Sequence, residues 1–157
     1  MIKKQRYSQF SVETALYYVR LKTHNGDSLF ESVTPSERAT LSHSLAKIVA
    51  DELRQVKTNY KGIVLTQWIL EPDSLHAVVS LSSTHTKQTN QSSKPALLSA
   101  FIAGLKAATA KRINLIRNEP GSPVWQRSYK EQRIEDDMML FRLRKRLNDS
   151  DRILYSS

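Results

Sequence analysis

Stretches in which apolar residues fall at every second position are interleaved with stretches in which they recur every three or four. The order of the two kinds leaves few folds open to this chain. "ALYYVRLKTH", from Ala15, alternates: Ala15, Tyr17, Val19 and Leu21 lie on one side, Leu16, Tyr18, Arg20 and Lys22 on the other. That is the period of a half-buried strand. "NGDS" turns the chain, and "TPSERATLSHSLAKIVADELRQV" then reads as a helix. Thr34 suits its cap, Pro35 its first position and Glu37 a capping box, while Leu41, Leu45, Ile48, Val49, Leu53 and Val56 form one apolar stripe. "GIVLTQWIL" is a second strand, apolar on both sides. "SLHAVVSL" is a third: Leu75, Ala77, Val79 and Leu81 face one way, Ser74, His76 and Ser80 the other, and Val78 is out of place.

After the aperiodic loop "SSTHTKQTNQSSK" comes a second long helix, "PALLSAFIAGLKAATAKRINLIRN", whose buried side is Leu98, Phe101, Ile102, Leu105 and Ile113. "PGSP" breaks it, "VWQRSYKEQRI" reads as a fourth strand, and "EDDMMLFRLRKRLN" closes the pattern as a helix with acids in its first turn and bases in its last. Strand, helix, strand, strand, helix, strand, helix is the order of a split βαβ unit. The expected class is therefore α+β, ferredoxin-like: an antiparallel sheet with two helices on one face and a further C-terminal helix. One domain spans residues 1–157, with its core at about 12–148. The other sheet face is expected to stay open, presenting Tyr18, Arg20, Lys22, Ser74 and His76.

The chain carries 24 Lys and Arg against 15 Asp and Glu, a net charge of +9, so a polyanion is the first partner to consider. No cysteine is present, which excludes a disulfide framework or thiolate metal site and fits a reducing compartment. No apolar run reaches the length of a membrane span, and the N-terminal "MIKKQRYSQF" lacks a signal peptide's apolar stretch. The reading is a cytoplasmic protein without membrane contact. "TAKRIN", with Lys111 and Arg112, and "FRLRKR", with Arg142, Arg144, Lys145 and Arg146, are basic clusters at helical spacing. Together with Arg20, Lys22 and Arg127 they are candidates to track phosphates. Tyr17, Tyr18, Trp68, Trp125 and Tyr129 would either stack on unpaired bases or fill the core. No Gly-rich phosphate loop or nucleophile elbow occurs.

"YYVRLKTHNGDSLFE", the strand introduced by "EPDSLH", the helix ending "LKAATAKRIN" and "SPVWQRSYKEQRI" resemble, in order, the REP-associated tyrosine transposases and related single-tyrosine HUH transposases. The resemblance covers residues 15 to 148. It implies a ferredoxin-like fold, homodimers, and action on single-stranded DNA hairpins. It also implies a His-hydrophobic-His motif holding magnesium or manganese, and a tyrosine on the last helix that attacks the scissile phosphate. Carried over, His76 matches the second motif histidine, Leu75 the hydrophobic residue, and Ser74 takes the place of the first histidine. Counting from Trp125 puts Arg146 where the nucleophile belongs; matching Asn148 to the pattern puts Arg144 there. No tyrosine lies between Lys130 and Leu154, which leaves Tyr129 and Tyr155.

The resemblance thus implies a degenerate member that binds single-stranded or hairpin DNA, or RNA, without cleavage and without a cofactor. His76 would then be a vestigial metal ligand. One alternative is an active strand transferase with Tyr129 as nucleophile and His76 with Glu71 or another acid holding magnesium or manganese. Another is a protein-interaction module on the same scaffold.

Overall fold

A computed structural model describes residues 14–30, 41–82 and 95–148. Strands β1 (Thr14–Lys22), β2 (Ile63–Glu71), β3 (Ser74–Ser82) and β4 (Lys130–Ile134) form one antiparallel sheet in the order β2-β3-β1-β4. Helix α1 (Leu41–Arg54) and the short α2 (Val56–Asn59) lead from β1 to β2, α3 (Ala96–Arg117) leads from β3 to β4, and α4 (Asp137–Asn148) follows. This is the expected split βαβ topology. The capping residues Thr34, Pro35 and Glu37 and the loop 83–94 lie outside the described residues. No helix among the described residues is long and apolar enough to cross a membrane.

The strand alternation sorts the core as the periodicity demands. Tyr17, Val19 and Leu21 of β1 and Leu75, Ala77, Val79 and Leu81 of β3 pack on Leu45, Ile48, Val49 and Leu53 of α1 and on Leu98, Phe101, Ile102, Leu105 and Ile113 of α3. Asn118 ends α3 in the left-handed conformation, its N–H bonded to the carbonyls of Asn114 and Leu115.

The second sheet face is not open along its length. A separate apolar cluster joins Leu16, Tyr18, Ile69, Val78 and Ile134 to Leu140, Leu143 and Leu147 of α4. Those three leucines share one stripe of α4, and the strand residues they meet are the apolar ones on that face, so the helix lies over them. Val78, out of place in a one-sided strand, is in place between a sheet and α4. The Asp136 carboxylate accepts a 2.9 Å hydrogen bond from the Met139 N–H, capping α4 at its start.

The fourth strand is shorter than the alternation of "VWQRSYKEQRI" predicts. Trp125 bridges to Thr23, and the Gln126 N–H donates to the Lys22 carbonyl at 2.8 Å, but regular pairing resumes only at Arg20 with Lys130. Five steps of chain here oppose three on β1. The looped segment turns three successive carbonyls, those of Gln126, Arg127 and Ser128, onto the Lys106 ammonium at 2.7, 2.9 and 3.4 Å. A half-buried cation in the helix layer therefore takes the backbone acceptors that a continuous strand would have paired. Trp125 sits 8% exposed below this segment, its indole N–H donating to the Thr109 hydroxyl at 2.9 Å.

Because Leu143 faces the sheet and Phe141 faces solvent at 63% exposure, truncating them should have unequal effects. Leu143→Ala should cost about 2–3 kcal/mol in urea unfolding, and Phe141→Ala no more than about 0.5 kcal/mol. Equal costs would contradict the docking of α4.

Candidate functional site

The part of the second face that α4 leaves uncovered is built from cross-strand rows. Glu71, Ser74 and Lys22 form one row, and Ile69, His76, Arg20 and Lys130 the next. Gln67, Val78, Tyr18 and Gln132 follow under the helix. Side chains one row apart on a face are within reach of each other, so His76 has Ser74 and Glu71 on one side and Tyr18 on the other.

Both ring nitrogens of His76 are engaged. Its Nδ1 lies 2.8 Å from the Tyr18 hydroxyl; its Nε2 lies 3.0 Å from the Ser74 hydroxyl and 3.4 Å from the Glu71 carboxylate. Burial raises the Tyr18 pKa, an effect that Arg146 and Arg20 partly offset, so the phenol keeps its proton and donates it to Nδ1. The Nε2–H then points at Ser74 and Glu71, a tautomer assigned from the hydrogen bonds. Burial lowers the His76 pKa below its ordinary 6.5; Glu71 opposes that shift, while Arg20 and Arg146 add to it.

Above the imidazole is a cavity of about 460 Å³ lined by Tyr18, Arg20, Glu71, His76, Lys130, Gln132, Arg146 and Leu147. A smaller groove of about 150 Å³ shares Arg20 and Lys130 and continues past Lys22, Gln126, Ser128 and Tyr129. Arg20 and Lys130 are direct cross-strand partners, a like-charge pairing that destabilises a sheet by several tenths of a kcal/mol. Among the described residues no hydrogen bond or ion pair engages the side chains of Arg20, Lys130 or Arg146, and the Arg20 Nε is buried without an acceptor. With Glu71 turned to His76, a further anion would match this cluster.

These donors do not fit the divalent cation that the family resemblance implies. The ion would have to displace a bond to the imidazole and then sit among the cations of Arg20, Lys130 and Arg146. No three His, Asp or Glu side chains among the described residues cluster as ligands.

The other residues picked from the sequence are dispersed. Arg146 comes to the cavity; Arg142 shares its flank of α4 four residues earlier, Lys145 is exposed, and Arg144, half-buried, falls on the opposite flank. Lys111 is exposed on α3. Arg112 is ion-paired to Glu52 at 3.1 Å and Asp51 at 3.7 Å in the helix layer, behind the sheet from His76. Arg127 is exposed in the looped segment. The Tyr129 hydroxyl reaches Ser99 of α3 at 3.4 Å, so it belongs to the helix layer rather than to the His76 face. Tyr17, Tyr18, Trp68 and Trp125 are each under 9% exposed and are core, not stacking platforms. Lys130, Gln132 and Leu147 were not singled out by sequence pattern; the only signal for Lys130 was its place on the outward side of the fourth strand.

A ferredoxin-like α+β domain with a cationic cavity on its sheet is thus the class defined by fold and site. No family model matches the chain, and no curated protein matches it. Among solved structures, a protein of Deinococcus radiodurans R1 described as a "putative transposase" superposes with a TM-score of 0.52 at 18% identity, over 90% of this chain and 95% of its own. A REP-associated tyrosine transposase bound to a REP hairpin aligns over 91% of this chain and 68% of its own, with a TM-score of 0.48 and 11% identity. The likeness to the first is one of fold.

The lowered His76 pKa gives a pH test. Below about pH 6.5 the unfolded chain binds a proton that the folded chain does not, so the stability due to neutral His76 is complete above that pH and falls as acidification proceeds towards the folded pKa. Unfolding measured between pH 8 and 5 should show this decline in the native chain and a flatter profile in His76→Gln. Parallel profiles would contradict the half-buried, neutral imidazole.

Proposed function

We propose that this chain binds nucleic acid, preferentially single-stranded or hairpin DNA, and holds the strand at the His76 cavity without cutting it. The observation that carries this reading is the meeting of Arg20, Lys130 and Arg146 around one imidazole, with Glu71 the only acid among the described residues lining the cavity. Phosphate oxygens supply the acceptors such a cluster lacks, and guanidinium groups grip them bidentately. The fold shared with a transposase-like protein and the sequence resemblance to HUH transposases support the choice of DNA. In that resemblance an arginine, Arg146 or in the other register Arg144, stands where a nucleophilic tyrosine would be, and Ser74 where a metal-binding histidine would be. A guanidinium does not form a phosphotyrosine bond, and a serine hydroxyl bonded to His76 is a weak ligand for magnesium. The homodimer implied by the resemblance belongs to the same proposal.

Four cations along the cavity and groove, Arg20, Lys22, Lys130 and Arg146, set the expected salt response. For a single strand this corresponds to a slope of roughly −3 in log affinity against log salt, or about a 50-fold loss between roughly 50 and 200 mM. Fluorescence anisotropy with a hairpin oligonucleotide measures it, and a flat response would contradict the reading. In the same preparation, manganese should yield no covalent protein–DNA band. A band that disappears in Tyr129→Phe would restore strand transfer, whereas recovery of a protein partner with no oligonucleotide binding at low salt would favour an interaction module.

A further inference from the structure

The cavity's charge is more specific than a general affinity for phosphodiester backbone requires. Among the described residues Arg20, Lys130 and Arg146 face a single acid, Glu71, and the imidazole between them is neutral, so their part of the lining carries a formal charge of +2. An internal phosphodiester brings one negative charge and leaves the cluster half compensated. A phosphomonoester brings close to two at neutral pH and three terminal oxygens for hydrogen bonding. The cross-strand pairing of Arg20 with Lys130 points the same way, because two cations held side by side in a sheet are relieved best by a dianion lying across both.

Shape agrees with charge. Tyr18 and Leu147 wall the larger cavity on the α4 side, and the smaller groove leads off it through the shared Arg20 and Lys130 towards Lys22 and Ser128. A strand lying in the groove can place its last phosphate in the cavity.

We propose that the His76 cavity is a subsite for the terminal phosphomonoester of a nucleic-acid strand. The proposal rests on the nucleic-acid reading above and adds which part of the strand the cavity takes. The shared chemistry is a phosphate at a strand end, which occurs at either the 5′ or the 3′ end.

The test uses the full chain and oligonucleotides of one sequence carrying a 5′-phosphate, a 3′-phosphate or hydroxyls at both ends, compared by anisotropy at low salt. One phosphorylated end should bind about ten-fold or more tighter than the hydroxyl form, and which end does so identifies the source. That gain should disappear in Arg146→Gln and in Lys130→Gln. Equal affinity of all three oligonucleotides overturns the subsite and leaves nucleic-acid binding intact; binding of none overturns both. A gain that survives in both variants overturns the placement in this cavity.

Discussion

The contact on which the site depends is an apolar one: Leu140, Leu143 and Leu147 of α4 lying on Leu16, Tyr18 and Val78 of the sheet. Without it the second face would be a flat, half-apolar surface, and Arg146 would have no fixed relation to His76. With it, the helix covers the apolar half of the face and holds its last turn over the polar half. The cavity is the space left where the apolar match between helix and sheet runs out.

That arrangement makes the electrostatics unusual. Tyr18 is shared between the apolar cluster and the cavity, and its hydroxyl fixes one imidazole nitrogen while Ser74 and Glu71 occupy the other. The imidazole is thereby a satisfied, neutral part of the floor. The cations around it are less well matched: Arg20, its Nε buried without an acceptor, and Lys130 are set side by side by strand register, and Arg146 arrives from the helix. Clusters of like charge that a fold holds in place without counterions are where anionic ligands gain most from binding.

Much of the fold was legible because its signals are local. The period of two in "ALYYVRLKTH" and "SLHAVVSL", and the stripe from Leu45 to Leu53, each need only a dozen residues to be read. What escaped was relational. That α4 lies on the sheet could have been inferred from Val78 and Leu16, apolar residues on a supposedly open face, but only by asking what covers them. The looping out before β4 depends on Lys106, some twenty residues away in sequence, collecting three carbonyls. Lys130 was invisible as a site residue because its importance lies in the register that sets it opposite Arg20. The two basic clusters looked like one surface in the sequence; the sheet stands between them, and Arg112 is held by Glu52 and Asp51.

The central claim is that Arg20 on β1 and Arg146 on α4 act on one bound phosphate. A double-mutant cycle on hairpin affinity, using Arg20→Gln, Arg146→Gln and the pair, tests it most directly. Two groups sharing a ligand should couple by at least about 0.5 kcal/mol, the second substitution costing less once the first is made. Strict additivity, or single variants that bind like the native chain, would mean that the two guanidinium groups do not meet at a common phosphate.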